Sequence, residues 1–174
     1  AAGVIGSPVF SADGATVSKQ QFGTSGEDTV AGLVITDDGK VVVATTENGR
    51  AVLRKFDVAA NASGVPEWTQ DIGDMGAGGQ LTSIAYENGA IYLGGRTASA
   101  TFDAAQGGTA FGGTQDGFIA RFEDGAGGPT KAWGTYTGGS GDDAVRGIAV
   151  SNGKVYATGE TTAAMGGATQ VGTQ

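Results

Sequence analysis

The sequence predicts an all-β fold made of tandem four-stranded antiparallel units, on three observations. Apolar residues form 39% of the 174-residue chain and are spread in short runs rather than in long helical stripes. Gly occurs 34 times against 3 Pro, with no collagen-like period, which is a folded and turn-rich composition rather than a disordered one. A strand–turn–strand pattern also recurs along the chain, and internal repetition at such a period marks a stacked-repeat architecture.

Three segments carry the repeat: Asp28 to Thr45, Gln80 to Gly94 and Asp143 to Thr158. Each pairs a strand-like run with a turn, "DDGK", "ENGA" or "SNGK", and a second strand. Asp-Gly and Asn-Gly suit two-residue hairpins, whose central residues need positive φ. Leu33 with Ile35, Ile84 with Tyr86, and Ile148 with Val150 fall on one face of their strands by alternation, as in half-buried hairpins.

The repeat extends in both directions. Upstream lie short aromatic-bearing strands that enter Gly-rich loops, at Phe22 to Asp28, Trp68 to Gly73 and Trp133 to Gly138. Downstream lie the matching runs Ala51 to Asp57 and Gly117 to Glu123. Four antiparallel strands repeated in tandem are the blade unit of a β-propeller, in which stacked blades bury one another's faces.

The stretch "GTYTGGSGDDAVRGIAVSNGKVYATGET", with the later "DGFIARFE", resembles the bacterial β-propeller repeat family often called SBBP repeats. The second repeat keeps "IYLGGRTAS", whereas the first, with "VVVATTENGR", lacks the Gly after its third strand. The resemblance covers most of the chain from about Gln20 onward. It implies a propeller in an exported or cell-surface bacterial protein, and no catalytic residues to carry over.

The expected segments are a leftover outer strand of a preceding or closing blade in 1–17, a first blade in 18–67, a second blade in 68–132, and an incomplete third blade in 133–174. In this reading the strand at Gly6 to Asp13 is a fourth strand, and "GTQ" at Gln174 falls where another strand is due. Either the chain is part of a longer propeller, or the N-terminal strand completes the third blade of another subunit. Propellers usually have about 4–8 blades, so three would need association. The partner is then protein, or a second copy joined through open blade edges, and unpaired edges favour such association. The connection across 98–116 is long for a compact domain. Its Phe102 and Phe111 either pack back on the blade or form an interaction surface.

Composition narrows the chemistry. Neither Cys nor His is present, so disulfides, thiolate and Ser-His or Cys-His nucleophiles and the usual zinc sites are excluded. A net charge of −8 without a basic stripe argues against nucleic acid. The longest apolar runs, such as Lys40 to Ala44, are too short to span a membrane as a helix.

Oxygen ligands remain, and these suit Ca²⁺ or Mg²⁺. "GGSGDDAVR", Gly138 to Arg146, fits the Ca²⁺-binding β-roll nonapeptide, and "GTSGEDTVA", Gly23 to Ala31, nearly does. A β-roll needs tandem copies, and these two are separated by most of the chain. A solitary Ca²⁺ at Asp142, Asp143, Glu27 or Asp28 is the surviving metal candidate. The preferred reading gives the glycines to tight turns, with Asp28 and Asp143 bonded to backbone N–H groups.

Asp71 and Asp74 read as solvated carboxylates, and nothing places two acids in one pocket for glycosidase chemistry. Trp68 and Trp133 occupy equivalent positions and read as core. Arg54 and Arg121 read as solvent-facing cations, and "GAGG" lacks the Lys-Ser/Thr of a phosphate loop. The expectation is a non-enzymatic structural or protein-interaction module without a cofactor. A Ca²⁺-dependent or carbohydrate-binding module using the blade-connecting loops is the alternative.

Overall fold

The computed structural model describes residues 4–10, 16–58 and 64–164, with side chains from residue 21 onward. Among the described residues twelve strands lie in chain order: β1 (Val4–Phe10), β2 (Thr16–Phe22), β3 (Asp28–Ile35), β4 (Val41–Glu47), β5 (Arg50–Phe56), β6 (Trp68–Asp74), β7 (Gln80–Glu87), β8 (Ala90–Thr97), β9 (Asp116–Glu123), β10 (Thr130–Thr137), β11 (Asp143–Ser151) and β12 (Lys154–Thr161). The only helical element among the described residues is a 3₁₀ turn at Asp103–Ala105. All strand pairings are antiparallel.

Two sheets have four strands each, in the orders β3-β4-β5-β6 and β7-β8-β9-β10. Two further sheets are hairpins, β1-β2 and β11-β12. The aromatic strand β6 therefore closes the first four-stranded sheet, with Trp68 opposite Lys55, instead of opening the next one. Likewise β10 pairs with β9, placing Trp133 opposite Arg121. The sheet boundaries fall one strand later than the segments 18–67, 68–132 and 133–174 predicted. The N-terminal piece is a hairpin rather than one leftover strand, and β11-β12 contributes two strands rather than three. The hydrogen-bond ladders explain the shift: after β5 the chain returns to pair with it, whereas Met75–Gly79 leaves the sheet, with Met75 fully buried. The "GTQ" end and part of the 1–17 segment lie outside the described residues.

Turn chemistry separates the hairpins. Asn48-Gly49, Asn88-Gly89 and Asn152-Gly153 each carry two successive positive φ angles, the type I′ geometry that matches strand twist. At "DDGK" only Gly39 is positive, and Thr36 N donates to Lys40 O across a three-residue loop. That hairpin is thus one residue longer than the predicted two-residue turn.

The sheets stack through their first strands, with β7 packed between β3 and β11. Val42, Leu53 and Trp68 of the first sheet meet Leu81, Ile91, Leu93, Phe118, Phe122 and Tyr136 of the second in the main core. On the other face of the first sheet, Val41, Val43 and Phe56 pack with Phe22 in a smaller cluster. Side-chain bonds stitch sheet to sheet: Thr46 Oγ1 accepts from Leu81 N at 2.9 Å, and Glu87 accepts from Asn152 N and Gly153 N at 2.8 and 2.7 Å. Gly94 permits the approach of β11, since a Cβ there would lie 2.8 Å from Val145 Cγ1.

Candidate functional site: acidic loops, the long connection and two half-covered ends

Each acidic position was given local work. Asp28 accepts from Thr24 N and Thr24 Oγ1 at 2.7 and 2.8 Å, and Asp143 accepts from Gly139 N at 2.7 Å. Asp116 does the same with both oxygens, taking Gly112 N and Gly113 N at 2.8 Å each. All three carboxylates open a strand and reach backwards across the Gly-rich loop before it. They tie the loop to the strand by charge-assisted bonds, which are stronger than neutral ones. The direction is the reverse of a forward Asx turn. The sequence carries a signal for Asp116 as well: "GGTQD" places its carboxylate three and four residues after Gly113 and Gly112, as "GGSGDD" places Asp143 four after Gly139.

Asp142 is exposed; its Oδ1 accepts from Thr114 Oγ1, and its N donates to Thr162 Oγ1 at 2.7 Å. Glu27 is exposed beside the Asn48-Gly49 turn and bonds Asn48 N through its carbonyl. Asp28 opens the first four-stranded sheet with Glu27 just before it, and Asp143 opens the β11-β12 hairpin with Asp142 just before it, so the two acidic pairs sit at different sheets. Among the described residues, no three acidic side chains converge to hold a cation. Asp143 is buried, and its Oδ1 has no hydrogen-bond partner. Asp71 and Asp74 accept from Gly73 N and Gly76 N, and Asp71 also pairs with Arg50 at 2.7 Å.

The long connection folds into the core. Phe102 is 1% exposed and meets Phe118 edge-to-face with centroids 5.0 Å apart. Phe111 packs edge-on against Tyr136 at 5.4 Å and is half-buried. Tyr136 donates to Ser99 O at 2.9 Å and accepts from Gln106 Nε2 at 3.0 Å. Burial raises its phenol pKa, outweighing the bonds that lower it. Gly134 lets the 3₁₀ turn press onto β10, because a Cβ there would overlap Ala104 O at 1.7 Å. Phe102 thus packs on the sheet with no free face for a partner, whereas Phe111 keeps part of its surface exposed.

A polar seam joins the two four-stranded sheets. Lys55 donates to Asp124 at 2.6 Å, both side chains only 7% exposed, and Asp38 stands 3.5 Å from the ammonium. Burial pushes the Lys55 pKa down, yet Asp124 and Asp38 together raise it above its ordinary value. Thr36 donates to Asp38, and with the two lysines this holds the carboxyl at a pKa of about 2 against an ordinary 3.8. Arg54 is not solvent-facing: it forks onto Glu47 and lies 4.7 Å over the Phe22 ring. By register Arg121 matches Lys55 rather than Arg54, since each stands opposite the Trp of the fourth strand.

That equivalence sets the outer faces of the described stack apart from its interior. Trp68 is 7% exposed because the second sheet covers it, whereas Trp133 is 39% exposed. Among the described residues the β11-β12 hairpin packs mainly on β7 and β8, less on β9 and least on β10, which bears Trp133. At the other end β1-β2 lies beside β3 and β4, yet Val30, Leu33 and Ile35 of β3 are 49%, 48% and 66% exposed. Their counterparts in β7, namely Leu81, Ile84 and Tyr86, pack against the main core.

No family model matches the chain. The regulatory protein FlaEY of Caulobacter vibrioides is 32% identical over 180 residues, covering 89% of this chain and 19% of that protein. The chain thus spans about a fifth of the length of this relative.

Proposed function

We propose that the chain is a non-enzymatic, β-propeller-type module that works by protein contact in an exported or cell-surface bacterial protein. One observation carries the contact role: both ends of the stack present apolar residues, Leu33 and Ile35 at one and Trp133 and Tyr156 at the other, that their internal counterparts bury. Large exposed apolar patches mark interaction sites more often than isolated residues do. The propeller reading is supported by sheets that stack through their first strands and by the resemblance to SBBP repeats. An exported location is supported by that resemblance and by the acidic, Cys-free composition. The name of the Caulobacter relative, a regulatory protein, fits a role exercised through contact and specifies no partner.

A Ca²⁺-dependent loop is the second reading, favoured by the buried, unpartnered Oδ1 of Asp143. Native mass and thermal melting with and without a chelator separate the two. A contact module keeps its mass and Tm on chelation. A Ca²⁺ module loses the mass of an ion and melts lower, because a ligand held only by the folded state stabilises it by mass action.

A further inference from the structure

We infer that Asn88, in the β7-β8 turn, is a site of spontaneous deamidation, and that Glu87 shields the next Asn-Gly turn, Asn152-Gly153, from the same reaction.

Three Asn-Gly pairs share one turn geometry, with φ of 49°, 49° and 53° at Asn48, Asn88 and Asn152. All three asparagines are exposed. In such a pair the glycine nitrogen attacks the asparagine Cγ, unobstructed because glycine has no Cβ. The N–Cγ bond forms as the Cγ–Nδ2 bond breaks. The Gly N–H proton passes through water to the departing Nδ2, which leaves as ammonia, and a succinimide ring remains. Water then opens the ring at either carbonyl, giving aspartate or isoaspartate. Two things slow this chemistry: a bond that holds the Gly N–H proton, and a clamp that keeps the turn from opening far enough for the nitrogen to reach Cγ.

The three turns receive these restraints unequally. Glu87 accepts from Asn152 N at 2.8 Å with Oε1 and from Gly153 N at 2.7 Å with Oε2. One carboxylate therefore grips both amides of that turn, and its charge opposes negative charge developing on Gly153 N. A carboxylate is too weak a base to take an amide proton, so Glu87 acts as a lock and not as a catalyst.

At the seam between the two four-stranded sheets no such lock exists. The register pairs Ile35 with Val41 as it pairs Tyr86 with Ile91, so Thr36 stands where Glu87 stands. Thr36 turns its hydroxyl to Asp38 and to Lys40 O within its own loop, and the Asp37 carboxylate accepts from Tyr86. Among the described residues no hydrogen bond holds the amide of Asn88 or of Gly89, and the turn is tied through Gly89 O, which accepts from Asp124 N at 2.8 Å. The Asn48-Gly49 turn is intermediate, since Asn48 N donates to Glu27 O at 3.0 Å. Reaction at Asn88 adds a negative charge beside Asp124, and in the isoaspartyl form an extra backbone carbon, at the seam that Lys55 and Asp124 close.

Peptide mapping by mass spectrometry, after incubation at mildly alkaline pH, tests this order. The same chain held in urea serves as reference and removes the effect of flanking residues. Relative to that reference, folded wild type should react at Asn88 at least about tenfold faster than at Asn152, with Asn48 between, because a charge-assisted bond must first be broken at Gly153. Glu87→Ala, its fold checked by circular dichroism, should speed Asn152 at least about tenfold and leave Asn48 unchanged; Glu87→Gln, which keeps one acceptor and no charge, should fall between. Wild-type protein that reacts at Asn152 or Asn48 as fast as at Asn88, or that does not react at Asn88 while the unfolded chain does, overturns the assignment of Asn88. An Asn152 rate that stays the same or falls in Glu87→Ala overturns the shielding role.

Discussion

Truncating Phe102 to Ala measures whether the 98–116 connection belongs to the core. The ring is buried to 1% and faces Phe118 edge-on at 5.0 Å, and Gly73 of β6 lies close enough that a Cβ there would be 3.3 Å from Phe102 Cε2. Strands β6 and β9 thus wall the site, which leaves little room for collapse. Removing a buried Phe side chain under such conditions costs about 3–5 kcal/mol, combining lost transfer energy with the cavity left behind. For a chain of this size that lowers Tm by roughly 10 °C, taking about 2–4 °C per kcal/mol. Urea unfolding of wild type, Phe102→Ala, Phe118→Ala and the double variant gives the values directly. The cycle should show an aromatic coupling of about 0.5–1.5 kcal/mol between the two rings. A cost below about 1 kcal/mol for Phe102→Ala, with unchanged susceptibility of the loop to protease, would refute the idea that the loop is core.

Three further outcomes are expected. Lys55→Met should destabilise by about 3–5 kcal/mol in urea, since it leaves the Asp124 carboxylate buried without its cation, whereas pairing it with Asp124→Leu should recover most of the loss. Acid titration should show a stability contribution from Asp38 that is present above its ordinary pKa of 3.8 and fades as pH falls towards about 2, because its folded pKa is depressed. Asp38 is half-exposed, so that contribution should shrink in high salt, and Asp38→Asn should flatten this part of the profile. In dilute monomer, acrylamide should quench Trp133 far more than Trp68, read in Trp68→Phe and Trp133→Phe proteins; equal quenching would contradict the half-covered end.

Much of the local chemistry is legible in the sequence. "ENG" and "SNG" specify type I′ turns because Asn and Gly tolerate the left-handed region, and Asn88, Gly89, Asn152 and Gly153 adopt it. Asp28 and Asp143 were readable as loop caps from their place after Gly-rich runs. Asp116 was missed because its loop follows a long insertion that hides the repeat. Lys55 and Asp124 were beyond reach: they are 69 positions apart and meet only because two sheets stack.

The repeat unit, its hairpins and its tight turns follow from the sequence, since each depends on neighbours a few residues apart, and composition alone removes Cys and His chemistry. A repeat does not determine its own phase. Any cyclic shift of the four strands fits the same periodicity, so grouping β6 with β5 or with β7 was open until the ladder Lys55↔Trp68 decided it. Equivalent residues likewise meet different fates, as Trp68 is buried and Trp133 is not. Burial is a property of what stacks on the strand, and that is decided only when whole sheets come together.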